Sequence, residues 1–212
     1  MLDSTKQFFI AIRTTIVLAM LTGLIFPGLV FVLAHLLFPF QSEGSLLTND
    51  QGLVIGSELI GQNFQFRQYF HPRPSASNYA AEFSCGTNLG PISSKLIAGL
   101  QSFAGIKQLA VNYRKENNLD PDVFIPVDAV TRSGSGLDPH ISLENAFRQA
   151  PRISLTRNQP LSVVLDRINS SLDRRQFGIL GESGVNVLKA NLSLDRNSHY
   201  NRINSNNLPI GK

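Results

Sequence analysis

The longest uncharged stretch of this 212-residue chain lies near its N-terminus and constrains the fold more than any other feature. Residues 14–40 contain no Asp, Glu, Lys or Arg, and their centre reads IVLAMLTGLIFPGLVFVLA. As a helix, this stretch would extend roughly 40 Å, which exceeds the ~30 Å hydrocarbon core of a bilayer. A buried helix of a soluble domain rarely runs so far without a polar face. The sequence therefore predicts a transmembrane helix over residues 14–40.

A cleaved signal peptide is the other explanation for an apolar stretch in this position. The apolar region of a signal peptide usually covers about 7–15 residues and ends at small residues. Here the stretch is longer, and Ala34-His35-Leu36-Leu37 offers no such cleavage site. We therefore expect the helix to be retained, with a kink at Pro27, where the missing N–H interrupts the helical hydrogen bonds.

The charges that flank the apolar stretch predict its orientation. Lys6 and Arg13 precede it, whereas the first basic residue after it is Arg67. By the positive-inside rule, residues 1–13 form a short cytoplasmic N-terminus, and everything after Phe40 lies outside the cytoplasm. The sequence thus predicts a single-pass protein of the cell (inner) membrane with a periplasmic or extracellular C-terminal domain. Cys85 is the only cysteine, so this domain folds without an intrachain disulfide.

The basic composition does not indicate a nucleic-acid-binding protein. The net charge of +4 arises mainly in residues 148–212, which contain 10 basic and 4 acidic side chains. Residues 41–147 contain 7 basic and 10 acidic side chains. The basic residues of the last third are mostly single arginines and form no run of the kind that phosphate backbones attract. We therefore expect no nucleic-acid partner.

The rest of the chain reads as one α+β domain. Residues 41–50 are polar and turn-rich, which predicts a linker, and residues 51–195 form the domain. Apolar periodicity predicts a helix with its apolar stripe over residues 96–113 and its boundaries near Pro91 and Asn117-Asn118. It predicts a second helix from Ser142 to about Ala150 and a third that begins at Pro160.

Three further segments are less regular. The alternation of Phe64 and Phe66 favours a strand, and the apolar segment 185–194 fits a helix or a strand. The Asn-rich residues 196–212 predict a polar, disordered tail.

Two glycine-, proline- and serine-rich stretches, residues 71–91 and 119–141, are long for loops without regular structure and are therefore candidates for function. Asp138, His140 and Glu144, with Asp128 nearby, are residue types that could hold a metal ion. The competing and favoured interpretation is that Asp138-Pro139-His140 fixes a turn and caps the following helix.

No familiar catalytic or cofactor motif is present. The four histidines show no zinc-site spacing, and the S-G-S-G run at residues 133–136 is not the G-x-S-x-G elbow of a serine hydrolase. Neither the phosphate-binding loop of nucleotide hydrolases nor the dinucleotide fingerprint occurs. The residues alone therefore indicate a membrane-anchored, exported domain with no directly bound metal or cofactor.

The two loops nevertheless carry a resemblance. The segments GSELIGQ (residues 56–62), RPSA (73–76), NLGP (88–91), VTRSGSGLDPHIS (130–142) and VNVL (185–188) resemble the C subunit of the Kdp high-affinity potassium-transporting P-type ATPase. The likeness extends in order from about residue 8 to residue 195 and includes the single N-terminal apolar segment. SGSGLDPHIS is its most specific part.

This resemblance implies an accessory subunit that is not an enzyme by itself. In the family, a channel-like A subunit selects potassium and the B subunit hydrolyses ATP, so ATP and K⁺ are handled by the complex. The partners implied are the A and B subunits and the small F subunit. The external domain would lie near the potassium entrance of the A subunit, and the chain would act as a catalytic chaperone that supports ATP binding and hydrolysis by the B subunit.

For the site, the resemblance points to residues of the two loops that contact a partner or fix the loop structure. They are Arg73, Ser75, Asn88, Ser133, Gly134, Gly136, Asp138 and His140. The alternative function is a signal-anchored, exported metal-dependent hydrolase that uses Asp138, His140 and Glu144.

Overall fold

The computed structural model describes residues 4–49 and 51–206 of the chain and divides into two compact units, Met1–Ser57 and Glu58–Lys212. The first unit begins with a long helix made of α1 (Ser4–Met20), a π-helical turn (Leu21–Ile25) and α2 (Phe26–Leu37). By length and composition this 34-residue helix can cross a membrane. Its most apolar 18-residue segment has a mean hydropathy of 2.6, and none of that segment is buried. The prediction of one N-terminal apolar helix is confirmed, although the helix begins and ends earlier than residues 14–40.

The π-helical turn lies where the sequence predicts a kink. Pro27 has no N–H, and its ring would collide with the carbonyl of Gly23 in a regular α-helix. A π-helical turn widens the backbone at this point, because each of its hydrogen bonds spans one residue more than in an α-helix. The irregularity therefore takes the form of a widened turn within a continuous helix.

After Phe38 the first unit ends in a short turn and a small hairpin. The helical turn α3 (Pro39–Ser42) is followed by β1 (Leu46–Thr48), which pairs antiparallel with β2 (Val54–Ser57). Strand β1 therefore lies within residues 41–50, the range predicted as a linker, and Ser57 Oγ donates a 2.7 Å hydrogen bond to the carbonyl of Gly44. Local pairing of β1 with β2 gives this polar segment more structure than its composition suggests.

The second unit combines helices with a small antiparallel sheet. Its helices are α4 (Ser94–Ala98), α5 (Ile106–Asn117), α6 (Val127–Val130), α7 (Leu143–Arg157), α8 (Leu161–Ser170) and α9 (Val187–Asn206). Its strands are β3 (His140–Ile141), β4 (Leu172–Asp173) and β5 (Gly184–Asn186), in the order β3-β5-β4. The predicted α+β class is confirmed.

The hydrophobic core lies between α7, α8, α9 and this sheet. Its buried members are Phe70, Ile141, Ala146, Ala150, Ile153, Val164, Ile168, Val185, Val187, Ala190 and Leu194. The small residues Ala146 and Ala150 are fully buried on α7, which allows close approach of neighbouring elements. Phe70 is the core's contribution from the irregular segment 58–91, and burying its side chain stabilises the fold by about 1.5–3 kcal/mol.

The helix predicted over residues 96–113 is wrong as a single element. The chain forms α4, leaves the helical path at Gly99 with φ +88°, reverses through a Leu100–Phe103 bridge, and resumes as α5. A Cβ on Gly105 would collide with the backbone of Ala98 and Gly99. Only glycine permits both the left-handed turn and this close approach, so the two glycines interrupt a pattern whose apolar spacing is helical.

Other predicted elements differ in detail. Phe64 and Phe66 lie in irregular backbone, so the strand favoured there is wrong; Phe64 packs beside the core while Phe66 is exposed. Helix α7 continues through Pro151 to Arg157, beyond the predicted end at Ala150. Pro151 is tolerated because it lies on the exposed face. The segment 185–194 is strand and helix in succession.

The predicted tail overlaps the end of α9, which reaches Asn206. Residues 207–212 lie outside the described residues, so the disordered tail stays a prediction.

Candidate functional site

The two glycine-rich loops lie against each other and bond through their backbones. The N–H of Ser133 donates to the carbonyl of Pro74 at 3.1 Å, and the N–H of Cys85 donates to the carbonyl of Ser135 at 3.0 Å. On the other side, the N–H of Gly61 donates to the carbonyl of Leu137 at 2.8 Å. Segments without strand or helix thus satisfy their buried polar groups by pairing with one another.

Gly136 lies where the two loops approach each other closely. Its carbonyl accepts hydrogen bonds from Ser75 Oγ at 2.7 Å and from Ser77 Oγ at 3.2 Å. Its φ is +72°, and a Cβ here would lie 2.6 Å from Ser77 Oγ and 2.9 Å from the carbonyl oxygen of Cys85. Both the conformation and the space therefore require glycine at this position.

A chain of charged side chains begins at the same place. Arg73 Nη1 donates to Asp138 Oδ2 at 2.8 Å, and the backbone N–H of His140 donates to Asp138 Oδ1 at 3.0 Å. The ring of His140 lies between two carboxylates, with Nε2 2.8 Å from Asp173 Oδ2 and Nδ1 3.7 Å from Asp138 Oδ1. Lys189 extends the chain by pairing with Asp173 and Glu58. Opposite charges alternate, so each is compensated by a neighbour.

These contacts shift the pKa values in the directions that favour the charged forms. The carboxylate of Asp138 beside the ring, together with that of Asp173, raises the pKa of His140 against the opposing effect of burial. Burial by itself would raise the pKa of Asp138, but hydrogen bonds from His140 and Arg73 outweigh it and lower that pKa. The geometry therefore fits a positively charged imidazole donating towards two carboxylates.

The residues considered as a metal or hydrolase set do not form one site. A concavity of about 510 Å³ is lined by Arg73, Asp128, Asp138, His140 and Asp173, among others, but Glu144 is outside it and pairs with Arg148 one turn along α7. Asp128 accepts from the backbone and hydroxyl of Ser142 at the start of α7. Within residues 4–49 and 51–206, no group of three or more His, Cys, Asp or Glu side chains could hold a metal ion.

The favoured helix-cap interpretation is partly correct. Ser142 caps α7, because its Oγ accepts from the N–H of Asn145, whereas Asp138 fixes the preceding turn by accepting from the N–H of His140. The capping residue is thus the serine that follows the Asp138-Pro139-His140 turn.

The remaining predicted site residues differ in their surroundings. Ser133 is buried, with its Oγ 3.5 Å from Ser135 Oγ. Gly134 is exposed, and a Cβ on it would meet nothing within 4 Å. Asn88 is exposed in a left-handed conformation with φ +53°. The structure thus brings Arg73, Ser75, Ser133, Gly136, Asp138 and His140 together where the loops meet, and leaves the side chain of Asn88 and the Cα of Gly134 facing outwards.

A buried polar network, which the residue pattern did not predict, holds the irregular segment against α7. Arg152 is 2% exposed and donates to Gln149 Oε1 at 2.9 Å, to Asn117 Oδ1 at 2.9 Å and to the carbonyl of Tyr69 at 3.0 Å, and it also bonds to the carbonyl of Arg67. Burial lowers the pKa of Arg152 to about 10, which leaves it charged at neutral pH. The guanidinium thus supplies the hydrogen bonds that a neighbouring strand would donate to the carbonyls of residues 67 and 69.

Two amides complete this network. Gln149 accepts from the N–H of His71 at 2.8 Å and donates to its carbonyl at 3.1 Å. Asn191 on α9 bonds in the same two-way fashion to the N–H and carbonyl of Phe70, at 2.8 Å and 3.0 Å. The signal in the sequence was that Asn145, Gln149 and Arg152 share the apolar face of α7, where polar side chains need buried partners.

An N-terminal helix that can span a bilayer, followed by a mixed helix/sheet domain, defines a membrane-associated protein. Residues 8–196 match the family described as "K+-transporting ATPase, c chain". The chain belongs to this family, KdpC, as its resemblance predicted, and is therefore a subunit of a potassium-transporting ATPase.

Several members of the family are similar in sequence to this chain over most of their own length. The potassium-transporting ATPase KdpC subunit of Mycobacterium tuberculosis (strain ATCC 25618 / H37Rv) is 46% identical over 193 residues, which are 90% of this chain and 98% of the relative. Those of Myxococcus xanthus and Methylococcus capsulatus are also 46% identical, over 90% of this chain and 88% and 97% of their own lengths.

Proposed function

We propose that this chain is a non-catalytic accessory subunit that stabilises the ATP-driven potassium uptake complex. The observation that carries the proposal is the mutual pairing of Arg73, Asp138 and His140 where the two loops meet. Groups that could have acted as acid, base or ligand are bonded to one another, and they fix two irregular loops into one surface. A fixed surface suits contact with a partner more than turnover of a substrate.

The proposed partners are the A, B and F subunits that the family resemblance implies. The flanking charges Lys6 and Arg13 support an orientation in the cell (inner) membrane in which the N-terminus is cytoplasmic. The second unit is then periplasmic or extracellular. In that orientation the second unit lies near the potassium entrance of the channel-like A subunit.

The family resemblance also implies a catalytic-chaperone role, and the proposed placement requires that role to be indirect. A domain outside the membrane does not reach cytoplasmic ATP, and about a dozen cytoplasmic residues do not form a nucleotide site. We infer that any effect of this chain on ATP binding or hydrolysis by the B subunit is transmitted through subunit packing. Complexes with altered loop residues should then show a changed KM for ATP without labelling of this chain by a photoreactive ATP analogue.

Within the site we assign two roles. Arg73, Ser75, Ser133, Gly136, Asp138 and His140 fix the loops, because their bonds join one loop to the other or set the turn between them. Asn88 and Gly134, which are exposed, contact a partner. Substituting Gly134 with a larger residue such as Gln should weaken assembly while leaving the fold intact.

The experiment is gentle detergent extraction of membranes that contain a tagged copy of this chain at its natural level. We expect the A, B and F subunits to co-purify, and deletion of the chain to reduce potassium-stimulated ATPase activity. Recovery of the chain alone, together with unchanged potassium-stimulated ATPase activity after deletion, would refute the proposal. A tagged chain that ends before residue 58 is the control for assembly through the apolar helix alone.

A further inference from the structure

A second concavity, of about 390 Å³, lies beside the paired loops and has a different chemistry. Its basic lining residues are Lys95, on α4, and Arg132, just after α6. The other lining residues are Ser75, Ala76, Asn78, Gly86, Thr87, Ser102 and Phe103. None of these is acidic, so the concavity carries two positive charges and no negative one.

The two cations meet at one aromatic ring. The guanidinium carbon of Arg132 lies 4.0 Å from the centroid of Phe103, and Nζ of Lys95 lies 5.2 Å from it. Among the described residues, neither cation makes an ion pair or hydrogen bond. A cation over an aromatic face is attracted by the ring quadrupole, and this contact uses none of the oxygen acceptors that its N–H groups would otherwise bond. Both side chains therefore line the concavity with their N–H donors unpaired within the described part of the protein.

A purely structural role does not explain why two unpaired cations lie beside the ring of Phe103. Arg132 is half-buried, and burial lowers its pKa, which means that the folded protein bears a cost for keeping this charge out of water. Lys95 is exposed, whereas two partly buried cations elsewhere in the second unit have partners: Arg73 is paired with Asp138, and Lys189 with Glu58. Two neighbouring like charges without a carboxylate repel each other unless an anion lies between them.

The backbone that forms the concavity also departs from the sequence prediction. The helix interruption at Gly99 and Gly105 is what turns Ser102 and Phe103 towards Lys95. In a continuous helix, Ser102 would share a face with Lys95 but lie roughly 10 Å further along the axis, and Phe103 would be turned about 80° away from Lys95. The interruption thus assembles the ring, the hydroxyl and the cation in one place.

We propose that this concavity binds an oxyanion of the phosphate class, held by Lys95 and Arg132 and by the hydroxyls of Thr87 and Ser102. Charge-assisted hydrogen bonds to phosphate oxygens use the donors that the protein leaves unpaired. The ligand is a free phosphate ion or the phosphate of a lipid headgroup, and the two sources are distinguished by the experiment. The site is independent of the role proposed for the Arg73–Asp138–His140 contacts.

The first arm uses inorganic phosphate with the full chain in a non-ionic detergent. Binding is followed by phosphorus NMR linewidth and by the phosphate-dependent rise in melting temperature, with chloride holding the ionic strength constant. We expect Arg132→Gln and Lys95→Gln each to raise the dissociation constant by about tenfold, since each loses a charged hydrogen bond. Lys115→Gln removes one exposed charge elsewhere and should bind as the wild type does.

The second arm uses nanodiscs of phosphatidylcholine, alone or mixed with phosphatidylglycerol, and measures the melting temperature and the lipid retained in native mass spectra. Stabilisation by phosphatidylglycerol that is lost in Arg132→Gln and Lys95→Gln, without a response to free phosphate, assigns the site to a headgroup. A response to free phosphate with the same dependence on both residues assigns it to the soluble ion.

Arg132→Lys is the control that distinguishes loss of binding from loss of folding. It keeps the charge, so it should retain most of the affinity that Arg132→Gln loses, while circular dichroism confirms that all variants are folded. Equal responses of the wild type and all variants, or no response of the wild type to either probe, would overturn the proposal. A binding loss in Arg132→Gln that Arg132→Lys does not restore would also count against it.

Discussion

The backbone of Gly136 shows how single residues position the loops. Its left-handed conformation lets its carbonyl face Ser75 and Ser77, and the hydrogen of the glycine leaves room for their hydroxyls. Two positions earlier, Gly134 has open space around it, so two neighbouring glycines of the same S-G-S-G run have different roles. One is required by the fold, while the other is free to face a partner.

Gly136→Ala tests this distinction at the level of stability. The new Cβ would meet Ser77 Oγ at 2.6 Å in a backbone conformation that L-residues rarely adopt. We expect the free energy of unfolding to fall by about 2 kcal/mol. Urea unfolding of the full chain in detergent provides the measurement. Gly134→Ala is the control and should stay within about 0.5 kcal/mol of the wild type; equal effects of the two would contradict the assignment.

His140 makes the stability of the same region depend on pH. Its pKa is raised in the folded protein by Asp138 and Asp173, so its stabilising effect is complete below the ordinary histidine pKa and is lost as the pH rises through the raised value. The pKa of Asp138 is lowered, so its contribution is present above the ordinary aspartate value and is lost in acid. The contacts therefore stabilise the fold most between about pH 4 and pH 6.5.

The measurement is the difference in melting temperature between the wild type and His140→Gln. We expect the wild type to exceed the variant by more at about pH 6 than at about pH 8, because only the protonated imidazole gains from both carboxylates. A difference that is the same at both pH values would show that His140 acts only through packing.

At the scale of elements, α7 supports a long segment that has no regular structure of its own. One stripe of the helix is apolar and belongs to the core, and beside it Gln149 and Arg152 bond to the backbone of residues 67–71. From α9, Asn191 does the same for Phe70. Helices α7 and α9 thus supply the hydrogen bonds that a neighbouring strand would otherwise provide.

Arg152→Met should therefore lower the free energy of unfolding far more than the similar volumes of the two side chains suggest. It leaves the carbonyls of Arg67 and Tyr69 without their buried donor, and we expect a loss of about 3 kcal/mol or more in the free energy of unfolding. Hydrogen exchange of the amides of residues 67–71 should accelerate as well.

Arg148→Met, on the same helix, is the matched control. Arg148 makes one 3.6 Å surface pair with Glu144, so its loss should cost less than about 1 kcal/mol. A similar cost for both substitutions would mean that the buried network does not hold the irregular segment.

At the scale of the whole molecule, the proposed function depends on the orientation of the apolar helix. The single cysteine makes this measurable, because Cys85→Ala gives a cysteine-free chain. Into this background we would place Lys115→Cys, in the second unit, or Lys6→Cys, in the first turns of α1; both positions are exposed. A membrane-impermeant maleimide added to intact cells should label the first variant and reach the second only after permeabilisation. Labelling of Lys6→Cys in intact cells would reverse the proposed topology.

The sequence by itself determined the features that depend on local composition. An uncharged stretch of 27 residues is sufficient for an apolar helix, since every backbone group bonds within the segment. The same holds for α7 and α8, whose apolar spacing and starting residues, Ser142 and Pro160, were enough to locate their beginnings. The SGSGLDPHIS string was enough to indicate the family.

Only the tertiary structure decided how the irregular half is arranged. Helical spacing over residues 96–113 could not show that Gly105 packs against Gly99, because that contact joins backbone atoms and leaves no trace in apolar periodicity. Likewise, no pattern pairs Arg73 with Asp138 or Arg152 with the carbonyls of residues 67 and 69, since these partners are 65 to 85 positions apart. Long-range hydrogen bonds between loops carry no period, so only the folded chain reveals them.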